Sequence, residues 1–324
     1  MGSYKPPYTI TSKILTLSTQ ISEELTKIEY DEKNIISPKL RKISRIKTLA
    51  GTLGIEGNFL GEEKITAILE GKKVLGTVME VAEAEGAIEA YKELENYQFD
   101  SLDDLLKAHK ILMDSILKTA GNFRMVNVGV GDKDGVTHVA PPPLIVPKLM
   151  GELFDWLKES DEHLLIKSCV FHYEFEFIHP FSDGNGRIGR LWQTVILKSY
   201  KELFSLIPIE SVVRDNQKKY YDALENSGSV GESTPFIEFM LEIILKSLKE
   251  FSKQHSKSNQ KSNYKSDQKI LSILKKNNKI TIRELCEKTE LSESGVKKII
   301  KKLKDDNLLK RIGSLKGGHW EIIE

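Results

Sequence analysis

Twelve consecutive residues, His179-Pro180-Phe181-Ser182-Asp183-Gly184-Asn185-Gly186-Arg187-Ile188-Gly189-Arg190, gather a proton acceptor, a carboxylate, three glycines and two guanidinium groups. Gly184 and Gly186 let backbone N–H groups come close to an anion. A helical pattern opens near Asn185 and runs through Leu191, Trp192, Val195, Ile196 and Tyr200. Its free first-turn donors and positive dipole end therefore face the same place. Arg187 and Arg190 are three apart, so they share a helix face and can grip a polyphosphate bidentately. Asp183 is a hard oxygen ligand that could hold Mg²⁺ against phosphates. His179 stands at the mouth of the loop, with the pKa range of a group that accepts a proton near neutrality. A Gly-Asn-Gly turn behind a His-Pro helix terminator would explain any one of these residues. A plain turn needs no such set within twelve positions.

The elements that must carry this loop read as almost all helix. Ile14, Leu17, Ile21, Leu25 and Ile28 recur every three or four residues. A second helix takes Ser37 as its cap and Pro38 as its first residue. Leu40, Ile43, Ile46, Leu49 and Leu53 carry its stripe to Gly57 and Asn58, natural residues for a C-terminus. Helical patterns follow over about Gly71–Glu95, Leu102–Leu117 behind Ser101, Val146–Lys158 and His163–Ile178. The one β signal in this part is Arg124–Val139, where alternating valines flank Asp132-Lys133-Asp134-Gly135, a hairpin sign.

Composition bounds the rest. The 324 residues suggest two domains. With 40% hydrophobic and 29% charged residues the chain is no disordered polymer. No run approaches about 18 apolar residues, which excludes a spanning helix. The start lacks an apolar signal core, Pro6 breaks a myristoylation pattern, and Cys169 and Cys286 have no metal-ligand spacing. The expected setting is the cytoplasm, with both thiols reduced. The formal charge of +1 hides an asymmetry: residues 252–324 carry 18 Lys and Arg against 9 Asp and Glu, the other 251 residues 30 against 38. A basic tail on an acidic body raises a nucleic-acid question for the tail alone. Between them, residues 252–266 are polar and read as a solvated linker.

The loop resembles the signature of Fic-domain proteins, His-Pro-Phe-x-Asp/Glu-Gly-Asn-Gly-Arg-x-x-Arg, and all nine specified positions match. The likeness extends more weakly over about Pro6–Lys249, through Gly121-Asn122-Phe123-Arg124, Ile207-Pro208-Ile209-Glu210 and Tyr220-Tyr221-x-Ala223-Leu224. It implies transfer of AMP from ATP to a Ser, Thr or Tyr hydroxyl of a protein. His179 would then be the base, and Asp183 would hold Mg²⁺. Gly184, Asn185, Gly186 and Gly189 would lie at the phosphates, with Arg187 on the β- and Arg190 on the γ-phosphate. Tyr220 and Tyr221 would flank the adenosine. The hairpin 124–139 resembles the family's flap, whose edge would dock the target by β-augmentation.

Thr52-Leu53-Gly54-Ile55-Glu56-Gly57 resembles the family's inhibitory motif, Ser/Thr-x-x-x-Glu-Gly/Asn, in the class whose brake lies N-terminal to the loop. Glu56 would pair with Arg190 and exclude the γ-phosphate. Two other functions stay open: removal of AMP, with Glu56 positioning a water, and a DNA-binding regulator that senses nucleotide. The intact His179 speaks against the second, because sensing needs no base. Self-modification and dimerisation follow from the resemblance alone.

Residues 267–324 resemble a winged helix-turn-helix. Ile270, Leu271 and Leu274 mark one helix, Ile282, Leu285 and Cys286 another, and Val296, Ile299, Ile300 and Leu303 the inner face of a third. Lys297, Lys298, Lys301 and Lys302 face out, and Leu308–Ile323 makes the wing. Such modules bind DNA or a protein. The expected fold is mainly α: a Fic-type helical bundle with a β-hairpin flap plus a small α+β winged-helix domain. Its expected parts are an N-terminal helical region over 1–110 holding the inhibitory helix at about 38–57, a catalytic core over 111–251, the linker 252–266 and the winged helix 267–324.

Overall fold

The computed structural model describes residues 4–31, 38–132, 135–261, 264–314 and 317–323. It divides into two compact units, the described parts of Met1–Thr26 with Ser44–Lys249, and of Lys27–Ile43 with Glu250–Glu324. Helix α1 (Ser12–Asp31) buries Ile14, Leu17, Ile21, Leu25 and Ile28, the stripe its sequence shows. Helix α2 (Pro38–Ile55) starts on its proline; Ser37, its expected cap, lies outside the described residues. Gly57, at φ +84°, turns the chain after α2. Gly51 sets how deep α2 sits: a Cβ there would lie 2.4 Å from the Ser211 amide nitrogen. Only a glycine lets the two backbones meet.

The helix expected over about Gly71–Glu95 begins seven residues late, and a short helix not read from the sequence precedes it. A short α3 (Gly61–Leu69) ends at Gly71, φ +72°, and α4 (Val78–Lys92) opens later on a capping box. Thr77 Oγ1 accepts from the Glu80 amide (3.1 Å), and Glu80 Oε2 accepts from the Thr77 amide (2.9 Å). Helix α5 (Leu102–Met113) takes Ser101 as its cap, as expected, but stops four residues short of Leu117 because the Ile116 and Leu117 amides both turn back onto the Met113 carbonyl.

Strands β1 (Gly129–Asp132) and β2 (Gly135–Val139) pair antiparallel, Gly129 opposite Val139, with an irregularity between Val130 and Gly131. Two residues of the expected turn, 133 and 134, lie outside the described residues. The segment before Gly129, read as strand from Arg124, is not strand; its one ladder-like bond among the described residues is from the Ala140 amide to the Val128 carbonyl (3.3 Å). Helix α6 (Val146–Glu159) leads to the centre, α7 (Leu164–Ile178) packed along α8 (Asn185–Tyr200). Both are buried along most of their length, α7 chiefly through apolar side chains and α8 with Arg187, Arg190 and Gln193 buried among its apolar residues. Trp192 of α8 is fully buried, and its indole donates to the Phe99 carbonyl (3.0 Å). Helices α9 (Ile209–Asp215), α10 (Gln217–Val230) and α11 (Thr234–Lys261) complete the series.

Residues 252–261, expected as a solvated linker, continue α11. The stretch is polar but holds no Pro or Gly, and Lys and Gln are good helix formers once a helix is nucleated. Helix α12 (Tyr264–Lys276) resumes at once.

In the second unit, α13 (Ile282–Thr289) and α14 (Glu293–Asp305) follow, with β3 (Leu309–Ile312) antiparallel to β4 (His319–Ile322). Leu274, Leu285, Val296, Leu303 and Trp320 form its core with their neighbours. The Trp320 indole donates to the Ile280 carbonyl (3.2 Å), and the Arg311 guanidinium lies 4.6 Å from its ring centre. The four lysines of α14 face outward as expected. Two of them are also tied: Lys302 to Asp267 (2.6 Å) and Lys297 to Glu293 (2.6 Å).

Candidate active site

His179 ends α7 in the left-handed region, at φ 50° and ψ 61°. The following proline disfavours the helical region for it, which stops the helix there. A non-glycine residue in this conformation is strained by about 1–3 kcal/mol, so its neighbours must hold it. They do so through main-chain contacts. The His179 carbonyl accepts from Arg124 Nε (2.7 Å). Asn185 closes the loop by accepting from the Phe181 amide (2.9 Å) and donating to the Phe181 carbonyl (2.8 Å). Its side chain therefore braces the loop, while its main-chain amide belongs to the first turn of α8.

Gly184 makes the last turn into α8 at φ +81°, and a Cβ there would sit 2.8 Å from the Met113 sulfur. It caps α8 without a side-chain acceptor, so the first-turn amides of α8 open onto the loop. Gly189 stands elsewhere than expected. A Cβ there would meet Glu176 Oε1 at 2.7 Å and the Phe175 ring at 3.1 Å. It is a packing glycine between α7 and α8.

Both arginines of α8 are buried, and both hold carboxylates. Arg190 donates from Nη2 to Glu56 Oε1 (2.6 Å) and to the Thr52 carbonyl (3.1 Å), and from Nε to Thr52 Oγ1 (3.1 Å). Arg187 donates from Nη1 to Glu83 Oε1 (2.9 Å) and from Nη2 to Asp183 Oδ1 (3.3 Å). Asn58, two residues beyond Glu56, donates to the other oxygen of Glu83 (2.9 Å). The Glu56 carboxylate also lies against Gly186: a Cβ there would be 2.4 Å from Oε1. An anion thus already rests on the first turn of α8, where the dipole and the free amides favour one.

Burial works to raise the Glu56 pKa, but Arg190, then Arg187 and His179, outweigh it and hold the carboxyl below its ordinary value. A depressed carboxyl contributes stability that is present above its unfolded pKa, about 4.3, and lost as pH falls through the folded one. The melting-temperature gap between the parent and Glu56→Gln is therefore expected at neutral pH and closes on acidification below about pH 4. A gap unchanged across that range in thermal melts would show that the carboxylate charge is not what matters.

Other titratable groups beside the loop are held neutral. Burial lowers His109 to about 4 and His172 to about 3. His109 Nδ1 accepts from the Gly121 amide (2.9 Å), which leaves Nε2–H to donate to the Asp183 carbonyl (3.0 Å). Its ring stacks on Phe181 at 3.6 Å. Burial, with Glu56 adding to it, raises Glu176 to about 8. The His172–Glu176 approach of 3.8 Å is thus a contact of neutral groups near pH 7.

The tyrosines divide. Tyr220 is 1% exposed and its hydroxyl meets His172 Nε2 (2.9 Å), so it belongs to the core, a correction to the expected adenosine contact. Tyr221 is 46% exposed and stays available. The Asp183 side chain is 56% exposed. Among the described residues no group of three or more His, Cys, Asp or Glu could hold a metal. Asp183 is a single accessible carboxylate, and Mg²⁺ commonly takes one or two carboxylates and completes its shell with phosphates and water. Arg124, Glu83 and Glu176 carry no signal in local spacing. His109 alone shows as an imidazole on the inner stripe of α5, between Leu105 and Leu112.

Residues 99–197 match the Fic/DOC family profile, and residues 265–310 match a winged helix-turn-helix DNA-binding profile. A crystal structure of a Fic family protein from Desulfovibrio desulfuricans G20 superposes with a TM-score of 0.76 at 35% identity, covering 99% of this chain and 98% of that one. A Caenorhabditis elegans Fic-1 fragment shares the fold at 22% identity, TM-score 0.61, over 76% of this chain and 72% of that one. Among curated proteins, a Nematostella vectensis protein named protein adenylyltransferase Fic is 30% identical over 197 residues, 57% of this chain and 44% of its own length. The chain spans less than half the length of the curated relatives it matches. No described helix is long and apolar enough to cross a membrane.

Proposed function

The chain belongs to the Fic family, and from that premise we propose that it is a protein adenylyltransferase held in check by Glu56. The observation that carries the proposal is the carboxylate of Glu56 lodged on both Arg190 and the first turn of α8. A pocket that holds one anion between a buried guanidinium and a helix N-terminus is chemically suited to a phosphate.

In this reading His179 takes the proton of a target Ser, Thr or Tyr hydroxyl. Its Nδ1 is buried, which leaves Nε2 for the proton. The hydroxyl oxygen forms a bond to the α-phosphorus as the bond to the bridging oxygen breaks, and pyrophosphate leaves. Arg187, Arg190 and the α8 amides offset the charge that gathers on the leaving group, so the rate comes from positioning and electrostatics. Asp183 would hold Mg²⁺, which would supply positive charge against the developing charge of the leaving group. The strand edges of 129–139 would align the target segment. Which phosphate of ATP stays on the acceptor is the test of this reaction class.

Glu56 is the brake because Arg190 cannot serve its carboxylate and a γ-phosphate at once. For the winged unit we read duplex DNA as the ligand, supported by the profile it matches and by exposed Lys298 and Lys301 on α14. A duplex shift by the full chain that weakens steeply with salt is expected. A shift indifferent to salt, or none, would point to a protein partner.

A further inference from the structure

Arg124 is 1% exposed, a guanidinium enclosed by carbonyl oxygens. Nε donates to the His179 carbonyl (2.7 Å), Nη1 to the Val126 carbonyl (2.9 Å), and Nη2 to the Pro141 and Ile178 carbonyls, the latter at 3.3 Å. Its own amide donates to the Pro180 carbonyl (2.9 Å). Burial pushes its pKa below the ordinary arginine value.

The acceptors belong to two structures. Ile178 and His179 form the C-terminal end of α7, where carbonyls lack helical partners and the dipole is negative, so a cation is favoured there. Val126 and Pro141 are the two stems of the hairpin, one before β1 and one after β2. A lysine would bring a point charge; only the planar fork of five donors can hold both sets in fixed relation. His179 needs such a hold, because its backbone is strained.

We propose that Arg124 is a positioning residue, a clamp that fixes the main chain of His179 to both stems of the hairpin. A hydroxyl aligned on the hairpin then arrives in register with the imidazole. The inference rests on the proposed transfer reaction for its functional consequence, and on geometry alone for the clamp.

The test replaces Arg124 with lysine in the full chain and reads amide hydrogen exchange and nucleotide transfer. Exchange should rise at least about tenfold at the non-proline residues of the hairpin stems and at Ile178 and His179 together, while α8 from Ile188 onward keeps its protection. Exchange that rises on one side only, or on neither, overturns the clamp. In a Glu56→Gly background, kcat for transfer should fall at least about tenfold with the KM for ATP within about twofold. A parallel loss of ATP affinity would reduce Arg124 to general structural support and overturn positioning. If Glu56→Gly itself transfers nothing, the proposed reaction falls, and exchange still decides the clamp. Should Arg124→Lys fail to fold, two glycines inserted between Pro141 and Pro142 release one stem and must give the same exchange pattern at Ile178 and His179.

Discussion

In His179→Ala, transfer of AMP is expected to fall by at least about 10²-fold, the lower range for a positioned general base. ATP should still bind. The groups suited to the phosphates are the α8 amides, Arg187 and Arg190, and none of them depends on the imidazole. The His179 main chain is fixed through its carbonyl, so alanine removes the ring and leaves the loop's support in place. Labelling of protein in parallel with nucleotide binding separates the two effects. Labelling within a few-fold of the parent would reject His179 as the base. Loss of ATP binding alongside labelling would mean that the imidazole holds the loop together.

Glu56→Gly should act in the opposite direction, with transfer rising about 5–150-fold, the range of a coupling of about 1–3 kcal/mol. The pair it removes is buried on one side only: Arg190 is 2% exposed and the Glu56 side chain 31%. Arg190 keeps Thr52 as an acceptor but loses its carboxylate, which leaves a guanidinium ready for a phosphate. Gly186 is uncovered in the same step. The same variant should bind ATP more tightly. Initial rates of transfer for the two chains measure the effect, and equal rates would remove Glu56 from regulation.

The loop was legible because its chemistry is contiguous. His179, Asp183, Arg187 and Arg190 stand within one turn and one helix start, so spacing alone brings them together. Glu56 lies more than a hundred residues away, and only a family resemblance tied it to Arg190. Glu83 had no such aid: a glutamate on a helix face reads as solvated until its partner across the fold is seen. Local patterning was right about type and wrong where position depends on packing. Gly189 looks like a third phosphate glycine because it follows two others, yet it lies one turn further along α8, where Glu176 and Phe175 of α7 pack against it. Tyr220 and Tyr221 are neighbours in sequence and point to opposite fates, one in the core and one half open. Arg124 was visible only as part of a family-like tetrad, because its partners are backbone carbonyls, and carbonyls have no sequence signature. The linker shows the converse: polar composition reports exposure and does not by itself report loss of helix.

ATP labelled on either its α- or its γ-phosphate, incubated with Mg²⁺ and the Glu56→Gly chain, tests the central claim most directly. The predicted result is label retained on protein from the α-phosphate alone, and its disappearance when His179→Ala is added. Label arriving from the γ-phosphate, or α-label that survives without the imidazole, would contradict AMP transfer by this loop.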